Sequence, residues 1–297
     1  MDLYSRYQFT KIIRHDVYAS LDPENPLLSV TGQTVLITGG GSGIGLATAK
    51  YYARAGAKAI ILAARSGDAL AQAKAELQGI NTALDIHVVP TDVSSKDDVV
   101  ALWNYVEKAV GNVDILINNA GRPGNGTKIG GGNADAWIST IQTNVLGTYM
   151  VTEAYVASLA KAGSTGGTII FISSQLAFET FPGGSSYSIS KLALVKLSEF
   201  IHSEHPNIRV FSVHPGIIPT AMGKAFGGAA KDTVELAAGM NLYLASPKAD
   251  YLRGRYITAN WDVDELEQHQ SEIQEKGLFQ VRLSADYGPE GYKWNDN

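Results

Sequence analysis

The sequence contains no cysteine among its 297 residues. This absence excludes disulfides, thiolate metal sites and cysteine nucleophiles together, and it fits a reducing compartment. Charged residues are also scarce, at 18% of the chain, and the net charge is -5. A surface that follows the phosphates of a nucleic acid needs clustered Lys and Arg. We therefore expect no nucleic-acid partner.

Long apolar runs are missing as well. No run in the sequence approaches the ~18 residues that a membrane-spanning helix requires. The first thirty residues are polar and charged, without the apolar core of a secretion signal, and the C-terminal KWNDN is neither a retention nor a peroxisomal signal. These features predict a cytoplasmic protein with no membrane partner.

Seven short, mostly apolar runs predict the strands of one sheet. They are TVLIT (34–38), AIILAA (59–64), DIHVVP (85–90), VDILIN (113–118), GTIIFIS (167–173), IRVFSV (208–213) and GRYIT (254–258). Continuous rather than alternating apolar residues are typical of parallel strands that helices cover on both faces. Segments such as 43–56 and 95–111 have the periodicity and end signals of those helices. The order predicts an α/β fold: a doubly wound, mostly parallel seven-stranded Rossmann sheet.

The chain is expected to form a single domain, residues 31–260, with an N-terminal extension (1–30) and a C-terminal extension (261–297). The N-terminal extension packs either across the sheet or against a partner subunit. Within the C-terminal extension, residues 262–277 have a helical pattern. Between strands, the segment 121–133 holds six glycines in thirteen residues, which predicts a flexible surface loop.

A glycine-rich turn, TGGGSGIG (38–45), follows the first predicted strand directly and opens a helix. Its glycines have the spacing Gly-x-x-x-Gly-x-Gly. Such a turn lets the backbone approach a pyrophosphate, and the helix N-terminus offers free N–H groups and a partial positive charge. A glycine turn without a ligand is the alternative, which the position after strand one disfavours. The turn predicts a dinucleotide phosphate site at Gly39, Ser42, Gly43, Ile44 and Gly45.

The second predicted strand lacks an acidic residue at its end. A carboxylate there accepts hydrogen bonds from the ribose 2′-OH of NAD, whereas an arginine accommodates the 2′-phosphate of NADP. The strand instead ends at Ala64, followed by Arg65 and Ser66, which supply a cation and a hydroxyl. These residues favour NADP(H) over NAD(H). The alternative is that Arg65 is a solvated loop charge and that the protein takes either cofactor.

Tyr187 lies four residues before Lys191 and thirteen after Ser174, in SSQLAFETFPGGSSYSISK. The same Tyr-x-x-x-Lys spacing occurs at Tyr7 and Lys11, where nothing else suggests chemistry. Further motifs follow in order along the chain: TGGGSGIG, TDV (91–93), NNAG (118–121), TNVLG (143–147) and HPGIIPT (214–220). With this set the sequence resembles the short-chain dehydrogenase/reductase family over about residues 31–260.

The resemblance implies roles for residues that match the family motifs. The catalytic residues would be Asn144, Ser174, Tyr187 and Lys191, the last two also touching the cofactor. Further cofactor contacts would be Asp92 and Val93 at the adenine, Asn119, Ala120 and Gly121 beside the ribose, and Ile218 and Thr220, after the Pro215–Gly216 turn, at the nicotinamide carboxamide. The family would also place a lid over the substrate at 221–239, and its usual Asp-Gly-Gly after the last strand is replaced here by TANWDVDE (258–265).

The residue types suit proton transfer. A tyrosine of reference pKa ~10 exchanges protons poorly near neutrality, and lowering its pKa to ~7 takes ~4 kcal/mol. A cation ~4 Å away at an effective dielectric of ~20 supplies about that amount, and Lys191 lies on the same helix face as Tyr187. We therefore expect a lowered pKa for Tyr187. Ser174 would stabilise charge on the substrate oxygen, and the resemblance gives Asn144 a water near Lys191.

The leading hypothesis is an NADP(H)-dependent oxidoreductase of carbonyl reductase type, moving hydride between the nicotinamide and a ketone or secondary alcohol with a medium-sized, largely apolar skeleton. The alternatives are a dinucleotide-binding scaffold or sensor, and a non-redox enzyme on the same fold. No metal is expected, because His202 and His205 have helical spacing but no third ligand. By resemblance, the protein would form a homodimer or homotetramer through the helices that carry Asn144 and Tyr187.

Overall fold

The computed structural model describes residues 4–131, 133–164, 166–220, 222 and 230–284. These residues form one seven-stranded sheet of order β3-β2-β1-β4-β5-β6-β7 in which every pair is parallel. The strands are β1 (Thr34–Thr38), β2 (Ala59–Ala64), β3 (Asp85–Pro90), β4 (Ile115–Asn118), β5 (Gly167–Ile172), β6 (Ile208–His214) and β7 (Arg255–Thr258). The predicted fold class is confirmed, and the sheet is parallel throughout the described residues rather than mostly so.

Helices cover both faces of the sheet. They are α1 (Gly43–Arg54), α2 (Gly67–Ile80), α3 (Lys96–Ala109), α4 (Ala134–Ile141), α5 (Thr148–Lys161), α6 (Ser185–Glu204), α7 (Val234–Ala245), α8 (Val263–Gln268) and α9 (Gln270–Glu275). Successive strand residues point to opposite faces, so Ile37 packs with α1, α2 and α7 whereas Leu36 packs with α3, α5 and α6. Two apolar cores result, which explains the continuous apolar runs of the strands.

The strand order reverses between β1 and β4. The chain runs from β1 outward through β2 to β3, and then crosses back to β4 on the other side of β1. At such a switch point the loops after the strands diverge and leave a crevice at the carboxyl end of the sheet, where ligands of doubly wound folds bind.

The N-terminal segment, residues 4–18, packs against the domain and not only against itself. Ile13 forms an antiparallel bridge with Trp261. The side chain of Arg14 pairs with Asp262 at 2.7 Å from Nε, and its carbonyl accepts a 2.8 Å hydrogen bond from the amide of Asn260. The departure from the family pattern after the last strand is therefore the surface that receives this segment.

The C-terminal extension differs from its prediction. One helix was expected over 262–277, but α8 and α9 are separate because His269 has φ -114° and ψ 18°, outside the helical region. Residues 285–297 of this extension, residues 1–3 of the other, Gly132 of the glycine-rich loop, and lid residues 221 and 223–229 lie outside the described residues. No helix within the described ranges is long and apolar enough to span a bilayer.

Candidate active site

A cleft of about 1580 Å³ opens at the carboxyl end of the sheet. Its walls come from the segments that follow β1 to β6. Of the predicted site residues, all but Gly45 and Asn144 line it: Gly39, Ser42, Gly43, Ile44, Arg65, Ser66, Asp92, Val93, Asn119, Ala120, Gly121, Ser174, Tyr187, Lys191, Pro215, Gly216, Ile218 and Thr220. The fold thus brings residues from six separate segments of the chain to one cleft.

The turn after β1 is shaped by close backbone approaches. Gly39 has a φ of +66°, and a Cβ on either Gly39 or Gly45 would lie 2.7 Å from the Asn119 amide nitrogen. That amide donates to the carbonyls of Thr38 at 2.9 Å and Gly39 at 3.1 Å. Gly45 does not line the cleft, but its lack of a side chain leaves room for the turn and for Asn119. The Asn119 side chain holds the turn against the end of β4.

The first turn of α1 faces the cleft. Ser42, Gly43 and Ile44 line it, and within the described residues the Ser42 side chain makes no capping hydrogen bond. The first N–H groups of a helix have no intrahelical partners and carry the positive end of the helix dipole. This helix N-terminus can therefore hold an anionic group such as a pyrophosphate.

A cationic side chain, Arg65, follows the end of β2. Arg65 is exposed at the cleft and makes no ion pair within the part of the chain that the structure describes. The hydroxyl of Ser66 accepts a 3.2 Å hydrogen bond from the N–H of Ala69 and so caps α2. Hydrogen bonds from Ser94, with a smaller contribution from the charge of Arg65, hold the pKa of Asp92 below its usual value against the opposing effect of burial. The cleft near Arg65 thus contains a fixed anion and a cation.

Ser174 and Tyr187 meet across the cleft floor. Ser174 is the second residue after the end of β5, and its Oγ accepts a 3.2 Å hydrogen bond from the N–H of Leu176. The Ser174 hydroxyl also lies close enough to the phenol of Tyr187, on α6, to lower the pKa of that phenol. The contact comes from the fold, since the two residues lie on different elements.

Lys191 lies one helical turn after Tyr187, with Nζ 5.6 Å from the centre of the phenol ring. The ammonium group is buried and donates a 2.7 Å hydrogen bond to the carbonyl of Ile172. The neighbouring Ser173 donates to the Lys191 carbonyl at 2.9 Å and so supports the helix. The end of β5 thus fixes Lys191 at both its side chain and its backbone.

The expected lowering of the Tyr187 pKa is wrong. Burial raises the pKa of Tyr187, and the neighbouring Ser174 hydroxyl lowers it by less. Burial also lowers the pKa of Lys191 to about 8. The ammonium group donates its hydrogen bond to the Ile172 carbonyl, and desolvation of the phenolate is the largest influence on the phenol.

Asn144 occupies a π-helical turn, Gln142–Gly147, between α4 and α5. Its side chain is fully buried and does not line the cleft. Its Oδ1 accepts from the N–H of Arg122 at 2.9 Å, and its Nδ2 donates to the Arg122 carbonyl and the Ser190 hydroxyl, both at 3.0 Å. A Cβ on Gly121 would lie 3.4 Å from Asn144 Oδ1 and 3.5 Å from Lys191 Nζ, so Gly121 stands between the two.

Other residues at the cleft were not predicted. Met222 lies with its sulfur 4.0 Å from the Tyr187 hydroxyl, and Arg122 and Phe181 also line the cleft. Arg122 directly follows NNAG, and Met222 belongs to the expected lid, so their places in the sequence could have indicated them. Asp232, also in the wall, belongs to the same expected lid, but its residue type gave no signal of its own.

The histidines take other roles. His214 is buried in the cleft wall, and burial lowers its pKa to about 3, so it is neutral near pH 7. His205 caps the C-terminus of α6, as helix ends favour. Nowhere in the described ranges do three or more His, Asp or Glu residues group in a way that could hold a metal ion.

Comparison with known proteins agrees with this geometry. A family model described as short chain dehydrogenase matches residues 33–230. The short chain dehydrogenase tazN of Aspergillus terreus (strain NIH 2624 / FGSC A1156) is 33% identical over 294 residues, and the match covers 94% of this chain but only 63% of that relative. The short chain dehydrogenase mpl6 of Monascus purpureus is 34% identical over 262 residues, covering 85% of this chain and 89% of the relative.

Solved structures share the architecture. A 7α-hydroxysteroid dehydrogenase, solved in complex with NADH and 7-oxo glycochenodeoxycholic acid, superposes with a TM-score of 0.73 at 25% identity. The superposition covers 82% of this chain and 97% of that one.

Proposed function

Because the chain belongs to the short-chain dehydrogenase family of oxidoreductases, which use nicotinamide cofactors, we propose that it is an NADP(H)-dependent carbonyl reductase. It would move hydride between the nicotinamide and a ketone or secondary alcohol of a small-molecule substrate. One observation carries the proposal: Ser174 and Tyr187 line the same cleft as the N-terminus of α1, and the buried Lys191 lies beside them with its Nζ 5.6 Å from the centre of the Tyr187 ring.

The residues present fit a nicotinamide dinucleotide. The turn at Gly39 leaves no room for a Cβ, and the N-terminus of α1 would bind the pyrophosphate. Asp92 and Val93 would contact the adenine, and Ile218 and Thr220 the nicotinamide end. When bound, this cofactor supplies or accepts the hydride.

The protein's own residues would handle the oxygen and the proton. In reduction, the Ser174 hydroxyl donates to the carbonyl oxygen, where negative charge develops. Tyr187 then gives its proton to that oxygen as the C–H bond forms and the C=O π bond breaks, and the phenolate regains a proton from water. The raised pKa of Tyr187 keeps it protonated before the step, as a general acid must be. Lys191 stabilises the phenolate that results.

NADP(H) preference rests on Arg65. Its side chain lines the cleft at the end of β2 and has no ion-pair partner among the residues that the structure describes, and a 2′-phosphate would lie there. The 7α-hydroxysteroid dehydrogenase was solved with NADH, so both cofactors belong in the test. Dual cofactor use remains the alternative.

Oligomerisation is part of the proposal. Leu146, Tyr149 and Ile189 leave about half of their side-chain surface exposed, at 48%, 46% and 50%. They lie on the helical segments that carry Asn144 and Tyr187, and exposed apolar patches mark association surfaces. This supports a homodimer or homotetramer. A cytoplasmic location stays a prediction, as do the boundaries of the domain at 31–260.

The test is consumption of NADPH and NADH against a panel of ketones by wild type, Tyr187→Phe and Arg65→Ala. The matched control is Tyr7→Phe, which removes the same hydroxyl from the other Tyr-x-x-x-Lys pair. We expect Tyr187→Phe to lower kcat by about 10³-fold, within the range for general acid–base groups, with cofactor binding retained. Arg65→Ala should raise the KM for NADPH by about tenfold and leave that for NADH nearly unchanged.

Turnover that survives in Tyr187→Phe would contradict the catalytic assignment. Equal effects of Arg65→Ala on both cofactors would contradict the NADP(H) preference. Cofactor binding without turnover of any ketone by wild type would favour the scaffold, sensor or non-redox alternative.

A further inference from the structure

Asp232 lies in the cleft wall, next to the loop from Pro215 to Thr220, and is 1% exposed. Its Oδ2 accepts a 2.5 Å hydrogen bond from the N–H of Ile217, and its own N–H donates to the Ile217 carbonyl at 3.2 Å. Two hydrogen bonds thus join Asp232 to one residue of the loop. A buried carboxylate that accepts a backbone N–H in this way fixes the position of that backbone.

The other oxygen of Asp232 binds the N-terminal segment. His15 Nδ1 lies 2.6 Å from Asp232 Oδ1, so the ring donates to the carboxylate. The backbone agrees, because the His15 carbonyl accepts a 3.0 Å hydrogen bond from the N–H of Thr233. Asp16 adds a 2.7 Å hydrogen bond from the Thr233 hydroxyl, and the ring of Tyr4 packs edge-on against His15 at 4.5 Å.

The loop is fitted closely to this carboxylate. Gly216 has a φ of +103°, and a Cβ there would lie 2.6 Å from Asp232 Oδ2. Only glycine both adopts this conformation without strain and leaves that space. On its other side the loop reaches the cofactor turn, since a Cβ on Gly43 would lie 3.6 Å from the methyl group of Thr220.

We propose that Asp232 and His15 are positioning residues that hold the Gly216–Ile218 backbone in its cofactor-binding form. The N-terminal segment would then be part of the cofactor site, although the family model begins only at residue 33. The inference rests on the proposed function, because the loop is taken to hold the nicotinamide end. His15 also has a physical task here, since a buried carboxylate needs partners for both oxygens.

Loss of this anchor should lower cofactor affinity, because it changes the arrangements that the loop adopts before the cofactor binds. Without Asp232 the Ile217 N–H loses its acceptor, and the loop populates other arrangements. Apparent affinity then falls in proportion to the fraction of molecules that keep the binding form.

The experiment uses the full chain with Asp232→Ala, Asp232→Asn and His15→Ala. The matched control is His87→Ala, which breaks a His–Asp contact of 2.9 Å to Asp85 on β3, away from the cleft. NADPH and NADH affinity is measured by calorimetric titration, and backbone anchoring by amide hydrogen exchange of residues 213–218 without cofactor.

Asp232→Ala should weaken binding of the preferred cofactor by about tenfold and speed exchange at Ile217. Asp232→Asn, which keeps an acceptor for that N–H, should stay within about threefold of wild type. His15→Ala should fall between them, and His87→Ala should match wild type. In measurements of turnover by the Asp232 and His15 variants, kcat at saturating cofactor should change less than the KM for the cofactor.

Wild-type affinity and exchange in Asp232→Ala would overturn the inference, as would an equal loss in His87→Ala. If Asp232→Ala does not fold, wild-type behaviour of His15→Ala would overturn it instead. These readouts are separate from turnover. Residual activity of Tyr187→Phe would defeat the proposed chemistry and leave the anchor standing, whereas an inactive Tyr187→Phe with unaltered binding by Asp232→Ala would defeat the anchor alone.

Discussion

Two Tyr-x-x-x-Lys pairs occur in this chain, and the structure gives them opposite surroundings. The hydroxyl of Tyr7 donates a 2.7 Å hydrogen bond to the carboxylate of Glu179, whereas the neighbour of the Tyr187 phenol in the cleft is the hydroxyl of Ser174. Lys11 is exposed, while Lys191 is buried beside its tyrosine ring. Equal spacing therefore produces two different chemical environments.

The neighbour of each phenol decides what that phenol can do. Burial, together with the hydrogen bond and the charge of Glu179, raises the pKa of Tyr7 to about 12. A carboxylate acceptor opposes formation of a phenolate, so Tyr7 serves as a fixed donor. Ser174 does not oppose formation of a phenolate at Tyr187, because its hydroxyl can donate a hydrogen bond to a phenolate or to a substrate oxygen. A proton exchanger needs such a neutral partner and a nearby cation.

The sharpest test of this comparison replaces each lysine by methionine. Lys191→Met removes the buried cation that would stabilise the Tyr187 phenolate and should lower kcat by about 10³-fold. Lys11→Met removes an exposed charge and should leave kcat within twofold of wild type. The measurement is steady-state ketone reduction at saturating cofactor.

Cofactor affinity is measured alongside these rates. A fall in kcat with unchanged cofactor affinity would assign Lys191 to the chemical step. Equal rates in Lys191→Met and Lys11→Met would break the comparison, since the two pairs would then differ only in burial.

The fold was predictable because each strand is buried on both faces. The apolar runs at 34–38 and 59–64 match β1 and β2 residue for residue. The break at His269 was not predictable, because the acidic and polar residues around it suit one helix as well as two. The π-helical turn around Asn144 likewise has no period of its own in the sequence.

The site was predictable in membership but not in electrostatics. Spacing places Lys191 near Tyr187, yet it does not show that Nζ is directed at the Ile172 carbonyl or that burial dominates. The link between His15 and Asp232 joins residues 217 positions apart. No local pattern marks such a pair, because each is an ordinary polar residue until the fold brings them together.

The same lysine variants should differ in stability, in the opposite sense to their activity. Burial lowers the pKa of Lys191 from 10.5 to about 8, which corresponds to ~3 kcal/mol of destabilisation when the group is charged in both states. Methionine removes that cost but leaves the Ile172 carbonyl without its donor, at about 1 kcal/mol. Lys191→Met should therefore be about 2 kcal/mol more stable than wild type at pH 7.

The pH dependence of the stability difference between wild type and Lys191→Met tests whether the buried charge of Lys191 is its cause. Because the folded protein binds fewer protons than the unfolded chain between about pH 8 and pH 10.5, wild-type stability from this group rises with pH across that window. The advantage of Lys191→Met should shrink over the same window. Urea unfolding at pH 7, 8.5 and 10 checks this, with Lys11→Met, which should show no such trend, as control. A less stable Lys191→Met at pH 7 would refute the burial argument.

The smallest effect expected concerns Glu179. Glu179→Gln keeps an acceptor for the Tyr7 hydroxyl but removes the charge that pairs with Arg6 at 2.9 Å. Because the Arg6 side chain is 60% exposed, such a pair contributes at most about 1 kcal/mol, and the variant should lose about 0.5 kcal/mol in urea unfolding. Ketone reduction should not change.

The informative readout for Glu179→Gln is the phenol. The pKa of Tyr7 should fall from about 12 but stay above its ordinary value, because burial is the largest cause of the shift and remains. Carbon-13 resonances of labelled tyrosine, assigned with Tyr7→Phe, would follow this titration. An unmoved Tyr7 pKa would mean that burial alone sets it, and the contrast between the two phenols would then come from packing rather than from the carboxylate beside one and the hydroxyl beside the other.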